Sequence, residues 1–245
     1  MTTPVTARAH AFVADLASPV LAAADHHHMA RVLRLPIGSA VTVGDGHGGW
    51  RACRLGRDRT LTVAGDVVND PRPSPAVTVA FALVKGERPE LVVQKLTEIG
   101  VDRIVPFVAE RTVVRWDAAK AERQLERWTG IARGAAEQCR RTWLPEVAPV
   151  AGFADAAALP GATLADPAGD PPSLARPAVL VGPEGGWGPG ERACGLPAVR
   201  LGAHVLRTET AAITAGALFV ALRSGMVKSV NQLVERGASE DPHGS

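Results

Sequence analysis

Two glycine-rich turns carry the residues of this chain best suited to chemistry. The first is Val181-Gly182-Pro183-Glu184-Gly185-Gly186, which follows the apolar pair Val179-Leu180. The second is Leu201-Gly202-Ala203-His204-Val205-Leu206-Arg207-Thr208-Glu209-Thr210-Ala211. It lies between the short apolar run Ala198 to Leu201 and a long apolar segment reaching Leu222. Each reads as a buried strand running into a loop. Glycine lets backbone amides approach a flat ligand without side chains in the way. Two such loops in one domain place a ligand at the carboxyl ends of parallel strands. Taken alone, the first loop is equally an ordinary strand-to-helix turn. Neither loop ends in the Lys-Ser/Thr pair of a triphosphate-binding loop, and no nucleophile elbow or paired metal-ligand helix stands out.

Three other patterns invite a chemical reading and give way to a plainer one. Gly44, Gly46 and Gly49 match G-x-G-x-x-G, but strand-like, arginine-rich sequence follows them where a helix should open. A hairpin turn with glycine at positive φ is expected instead. His26-His27-His28 cannot all point at one ion from a regular element, and no further zinc-spaced ligands lie nearby. A helix with Asp25 as its N-cap, placing Arg31 and Arg34 on one face, is the simpler expectation. Arg51, Arg54, Arg57 and Arg59 cluster in sequence. They form either a solvated face or a phosphate-contacting surface.

The totals narrow the class of protein. At 245 residues the chain holds one large domain or two small ones, and 46% hydrophobic residues suffice for a core. A net charge of +2 does not by itself argue for nucleic acid. Cys53, Cys139 and Cys194 are odd in number and widely spaced, which argues against a disulfide framework. No apolar run reaches the roughly 18 residues of a membrane span, and no cationic flank and apolar run mark a signal peptide. A cytoplasmic protein with no membrane and no metal is the expectation.

The elements that must position the loops follow. Residues 1–72 read as a small β-rich unit with strands at Ala40-Val43, Trp50-Leu55 and Thr60-Val68. Asp70-Pro71-Arg72-Pro73-Ser74-Pro75 is a linker, because alternate prolines continue neither ladder nor helix. Residues 73–236 alternate strands and helices. Strands are expected at Val77-Val84 and Val101-Val108, and short ones at Glu146-Val150 and Ala162-Leu164. Helices are expected from Pro89 to Gly100 and from Asp117 through Glu137, with Pro167-Pro172 as loop. That order is an α/β domain with a mainly parallel sheet. The helix from Glu209 to about Ser224 is apolar nearly all round, so it is buried in a core or against a second subunit. Residues 237–245 read as a disordered tail.

Taken together, these motifs resemble the knotted SPOUT class of methyltransferases, and more narrowly the ribosomal RNA small subunit methyltransferase E family. The likeness extends to Lys85-Gly86, Glu90 to Val101, Arg111-Thr112-Val113-Val114-Arg115 and Ala136-Glu137-Gln138-Cys139-Arg140-Arg141. His27-His28, Val32-Leu33-Arg34 and Gly38 resemble its N-terminal PUA-like barrel. Cys139 departs from the small residue or serine expected there. The resemblance implies a C-terminal SPOUT-type parallel sheet with a trefoil knot, beside a small N-terminal PUA-like β-barrel domain that recognises RNA. It implies a homodimer acting on small-subunit ribosomal RNA, within the assembled 30S subunit. It also implies S-adenosyl-L-methionine held by three loops. Their candidate residues are Ala165, in the stretch Ala165-Asp166-Pro167, then Leu180 to Gly186, then Leu201, Gly202, Val205, Leu206, Thr208 and Ala211.

The family's reaction, methylation of uridine N3, sets the remaining roles. That nitrogen carries a proton and is a poor nucleophile until the proton leaves. Orientation and stabilisation of the uracil anion are then the work of the protein. Arg207 is the first candidate, since arginine stays charged and presents a planar fork. Glu137 or Glu209 takes the proton or anchors these arginines. Arg31, Arg34, Arg51, Lys85, Arg111, Arg115, Arg140 and Arg141 are the candidates for RNA. Two competing readings are a non-catalytic RNA-binding module and an acyl or phosphoryl enzyme using the glycine loops as anion nests.

Overall fold

A run of alternating β-branched residues closed by glycines builds the first hairpin. Strand β2 (Ala40–Gly44) pairs antiparallel with β3 (Gly49–Leu55). Between them Gly46 and Gly48 take φ of 78° and 93°, a region that L side chains avoid. Asp45 closes the turn, its Oδ1 accepting from the His47 and Gly49 amides at 2.6 and 3.0 Å. The computed structural model describes residues 3–58, 60–86, 88–114 and 116–227. The tail at 237–245, Arg59 and Arg115 lie outside the described residues.

The chain divides into two compact units. One comprises Met1–Pro73 with Ala132–Leu144, the other Ser74–Ile131 with Pro145–Ser245. In the first, β1 (His10–Phe12) runs parallel to β2, and β3 also pairs with β4 (Leu61–Val63) and β5 (Val68–Asn69). Val41, Val43, Cys53 and Leu55 turn inward against Ala11, Leu21 and Met29. Helix α1 (Ala23–His27) continues as a π-helical turn over His28–Val32. Two expectations fail here. Asp25 sits inside the first turn, because Ala22 is the N-cap. Arg34 lies beyond the turn at φ 50°, so it does not share a helical face with Arg31.

The second unit is a parallel sheet. Its strands are β6 (Thr78–Ala82), β7 (Arg103–Val108), β8 (Glu146–Val147), β9 (Ala151–Gly152), β10 (Ala162–Asp170), β11 (Ala178–Val181) and β12 (Ala198–Val199). The order is β12-β10-β11-β6-β7-β8, with β9 also on β7, and every pairing is parallel. The inner strands are almost continuously apolar, as strands covered on both faces must be. Helices α2 (Arg88–Ile99), α3 (Ala118–Cys139), α4 (Phe153–Ala157), α5 (Pro189–Arg192) and α6 (Thr208–Arg223) link them. Asp117 starts α3, its Oδ1 accepting the Lys120 amide at 2.7 Å.

Strand β10 is longer than the sequence suggests. It continues from Ala162 to Asp170 through Pro167 and Gly169, residues that read as loop. Both Ala165 and Asp170 register with Val199, so the stretch between them bulges out of the ladder. A proline is tolerated there because no ladder hydrogen bond is asked of it.

From β12, at one edge, the chain returns to the middle of the sheet. There α6 packs on α2, β6 and β11. Gly216 makes the close approach to α2: a Cβ on it would stand 2.7 Å from Leu96 Cδ2. The C-terminal end of α6 is fixed by Arg223. Its guanidinium pairs with buried Asp102 and donates to the Gly100 carbonyl at 2.8 Å.

Candidate functional site

The bulged segment of β10 and the loops at the carboxyl ends of β11 and β12 enclose a cavity of about 300 Å³. The first contributes Ala165, Asp166 and Pro167. The second contributes Val181, Gly182, Pro183, Glu184 and Gly186, with Trp187 behind them. The third contributes Leu201, Gly202, His204, Val205, Leu206, Thr208 and Ala211. The β11 loop is a tight turn, in which the Gly186 amide donates to the Pro183 carbonyl at 2.8 Å and Gly186 takes φ 70°. Hydrogen bonds join the loops to one another. Thr208 Oγ1 donates to the Gly182 carbonyl at 2.9 Å, and the Trp187 indole N–H donates to the Ala165 carbonyl at 3.0 Å. Trp187 is itself stacked on Phe107, with centroids 6.2 Å apart and planes within 9°. Gly182 leaves room for that indole, since a Cβ there would lie 3.0 Å from it.

Charged side chains hold the rim. Arg192 pairs with Asp166 at 3.0 Å. Arg88 reaches Glu184 at 2.7 Å and Glu209 at 3.7 Å, so it ties the β11 loop to the first turn of α6. Glu191 is buried, and its two oxygens accept the Gly188 and Glu110 amides, each at 2.8 Å. That carboxylate pins α5 to the segment after β7. Arg111 donates to the Gly185 carbonyl at 3.0 Å from the same segment.

The walls are chemically mixed in a useful way. Val181, Leu201, Leu206 and Ala211 are apolar, while the glycine and loop backbones bring amides and carbonyls to the surface. A flat heteroaromatic ring with a polar edge suits such walls. Of the residues expected around the cofactor, Leu180 and Gly185 do not line the cavity. Leu180 is fully buried in the sheet core, and the side-chain position of Gly185 faces Arg111 Cβ at 3.4 Å.

The three expected catalytic residues are placed differently. Arg207 is the N-cap of α6 and its side chain is exposed. Glu209 is half-buried, with one oxygen near Arg88 and the other unpartnered among the described residues. Glu137 belongs to the first unit, where it accepts the Phe12 amide at 3.4 Å and pairs with Arg133 at 3.2 Å. Burial first, and the neighbouring Asp25 carboxylate second, push its carboxyl up to about 7. Close by, His10 is pushed down to about 4 by burial and then by the charge of Arg140.

The arginines expected at RNA also divide. Arg51 is committed to the fold, donating to Leu16 and Gly65 carbonyls at 2.7 to 3.1 Å. These bonds tie β3 to the segments at Leu16 and Gly65. Arg140 donates to the Val5 carbonyl, and Arg141 is half-buried in the same unit. Arg31, Arg34, Lys85 and Arg111 are exposed. Sequence reasoning placed Asp166 in the first loop but missed Trp187, Arg192 and Glu191. Only Trp187 carried a signal, as a bulky aromatic directly after paired glycines in a chain with five tryptophans. Among the described residues no group of three His, Cys, Asp or Glu is arranged to hold a metal ion.

Comparison with known proteins gives concordant results. Residues 71–220 match the model of an RNA methyltransferase domain, and residues 21–61 that of an RNA methyltransferase PUA domain. The chain is 37% identical over 213 residues to the ribosomal RNA small subunit methyltransferase E of Mycobacterium tuberculosis, covering 77% of this chain and 80% of that one. It is 36% identical over 230 residues to that of Synechocystis, covering 84% and 74%. The crystal structure of a ribosomal RNA small subunit methyltransferase E from Neisseria gonorrhoeae, bound to S-adenosyl methionine, superimposes with a TM-score of 0.72. It shares 29% identity, over 87% of this chain and 97% of that one.

Proposed function

The chain belongs to the ribosomal RNA small subunit methyltransferase E family, and on that premise we propose that it methylates N3 of a uridine in 16S ribosomal RNA, using S-adenosyl-L-methionine. The observation that carries the proposal is the three-loop cavity, whose loops are hydrogen-bonded to each other. Preorganised walls spare the binding step the cost of ordering loops.

The residues present fit the cofactor. Leu201, Leu206 and Ala211 supply apolar surface for adenine. The glycine at 182 and the backbone near Gly202 and Thr208 offer polar atoms for its edge and ribose. When bound, S-adenosyl-L-methionine supplies an electrophilic methyl group, so the protein need not provide one.

The remaining work falls to side chains of this chain. Arg207 stabilises negative charge on the uracil ring as its N3 proton leaves. Glu209 positions Arg88 and the α6 turn, in keeping with its ion pair and its place at a helix N-terminus. Glu137, in the first unit, anchors Arg133 there. Lys85, Arg111, Arg140 and Arg141 supply positive charge to RNA phosphates, and Arg115 belongs with them by sequence. The return of the chain from β12 to the middle of the sheet supports a knotted C-terminal segment. A homodimer acting in the cytoplasm on assembled 30S subunits completes the proposal.

Mass mapping of 16S ribosomal RNA tests it. A strain lacking this protein is expected to lose one methyl group on one uridine, and the restored chain to return it. An unchanged map would refute the assignment.

A further inference from the structure

Beside the cofactor cavity, at the same carboxyl edge of the sheet, lies a second cavity of about 400 Å³. Its walls come from Lys85 in the turn after β6, from Pro89 and Glu90 in the first turn of α2, from Trp116 just before α3, and from Lys120 and Gln124 in α3. Strand β6 is the direct neighbour of β11, so the turns that follow these two strands are adjacent. Arg88, two residues before Glu90, already reaches Glu184 and Glu209 at the rim of the cofactor cavity.

Three of its features ask for a ligand. Trp116 is fixed in orientation by fully buried Trp128, with centroids 5.6 Å apart, yet it is only half-buried itself. Lys120 Nζ lies 5.4 Å from the Trp116 ring centroid, on an exposed and flexible side chain that a stacking ring can displace. Glu90 has one oxygen 3.5 Å from Arg127 Nε, while Oε2 is buried with no partner among the described residues. An unpaired buried acceptor costs free energy until a donor reaches it. Lys85 and Lys120 add two of the four lysines of a chain otherwise rich in arginine.

An aromatic face and a waiting carboxylate oxygen suit the base of one nucleotide, and two flanking ammonium groups suit its phosphates. We propose that this cavity binds an unpaired nucleotide of the substrate RNA that flanks the methylated one. Its base stacks on Trp116 and displaces the Lys120 ammonium. A base N–H donates to Glu90 Oε2, and Lys85 and Lys120 meet the phosphates. Stacking requires an unpaired base, because in an RNA duplex the faces are already covered. The inference rests on the methyltransferase reading for the identity of the RNA, while the chemistry of the cavity stands on its own residues.

Full-length Trp116→Leu, Trp116→Phe and Glu90→Gln variants test it with two readouts. In methylation of small subunits, Trp116→Leu and Glu90→Gln are expected to raise KM for RNA by about tenfold, in line with loss of one stacked base. Turnover at saturation and cofactor affinity by calorimetry should stay near the parent values, and Trp116→Phe should restore most of the loss. In parallel, a short single-stranded RNA should quench tryptophan fluorescence of the parent and of Glu90→Gln at higher RNA concentration, but much less that of Trp116→Leu. Unchanged KM in both variants of an active enzyme overturns the proposal, as does equal quenching in the parent and Trp116→Leu. If the parent transfers no methyl group but shows Trp116-dependent quenching, the methyltransferase reading fails and the nucleotide site stands.

Discussion

The indole N–H of Trp187 donates to the carbonyl oxygen of Ala165 at 3.0 Å, joining the loop after β11 to the bulge in β10. The same indole is stacked on Phe107 and meets Phe153 edge-on at 5.9 Å. The floor of the cofactor cavity is therefore continuous with the aromatic core of the sheet. A shift of Trp187 moves two of the three loops at once.

Trp187→Phe keeps an aromatic ring and removes the donor. The Ala165 carbonyl is then left to find another partner, at a cost of about 1–3 kcal/mol if it stays unpaired. Cofactor affinity is expected to fall several-fold in calorimetry, with a small drop in the denaturant midpoint. An affinity equal to the parent would show that the β10 bulge holds its position without this bond.

Gly186 sits at φ 70°, where a β-branched residue is strained. Space is not the obstacle, since the nearest atom to a Cβ there would be Arg192 Nη2 at 4.0 Å. Gly186→Val should cost about 1–2 kcal/mol locally and reshape the turn closed by the Pro183 carbonyl. The expected outcome is at least tenfold weaker cofactor binding with the fold intact by circular dichroism. Parent-like binding would remove this turn from the site.

Much of the second unit was legible because its elements obey simple periods. Val77 to Ala82 is β-branched and apolar, Pro89 opens α2, and Gly100 closes it at φ 105°. The two glycine loops pointed to the cavity as a pair, since two strand-to-loop turns in one domain place a ligand at the carboxyl ends of parallel strands. What escaped depends on contacts distant in sequence. Pro167 and Gly169 read as loop because the strand around them is completed only by Val199. Glu191 carries no sequence signal, because the Glu110 and Gly188 amides that its carboxylate accepts are brought to it only by the fold. Arg51 looked like an RNA ligand, yet its partners are carbonyls of residues 16 and 65.

Glu137 gives a pH prediction with a definite sign. Its carboxyl is pushed up from its ordinary 4.5 to about 7 in the fold, chiefly by burial. The folded state therefore holds the proton more tightly than the unfolded chain. The resulting stability is complete below pH 4.5 and is lost as the pH rises through 7. Glu137→Gln removes that dependence. The thermal midpoint of the variant, relative to the parent, is expected to rise between pH 4.5 and 8. His10 acts in the opposite direction, its contribution lost as the pH falls from 6.5 towards 4, and it cancels from the comparison. A flat difference would mean that Glu137 ionises freely in the fold.

Helix α6 bears on assembly. It buries Ala212, Ala215, Gly216 and Phe219, while Ile213, Leu218, Val220 and Leu222 remain half-exposed and Ala217 exposed. Apolar side chains on the remaining surface of one helix favour a covered face. A two-fold dimer is expected by light scattering at micromolar concentration, and Ala217→Glu should shift it towards monomer. A monomeric parent would contradict this.

Arg207 is the sharpest test of mechanism. It caps α6 at the end of the cavity's third loop, immediately before the residue whose hydroxyl grips Gly182. Its side chain is exposed, whereas Arg88 and Arg192 are already paired with Glu184, Glu209 and Asp166. Among these three arginines it is therefore the one whose charge is not spent on the loops. Removing a donor that acts on charge developing in the transition state typically costs roughly 100-fold or more in turnover. Arg207→Ala is expected to show that loss in single-turnover methylation of purified small subunits. Cofactor affinity should change much less, because backbone and apolar groups line that cavity. Arg207→Lys separates charge from geometry. Lysine keeps the charge but not the planar fork, so it should recover only part of the rate. Near-normal turnover in Arg207→Ala would take this residue out of the chemistry and leave the uracil anion to be stabilised from elsewhere.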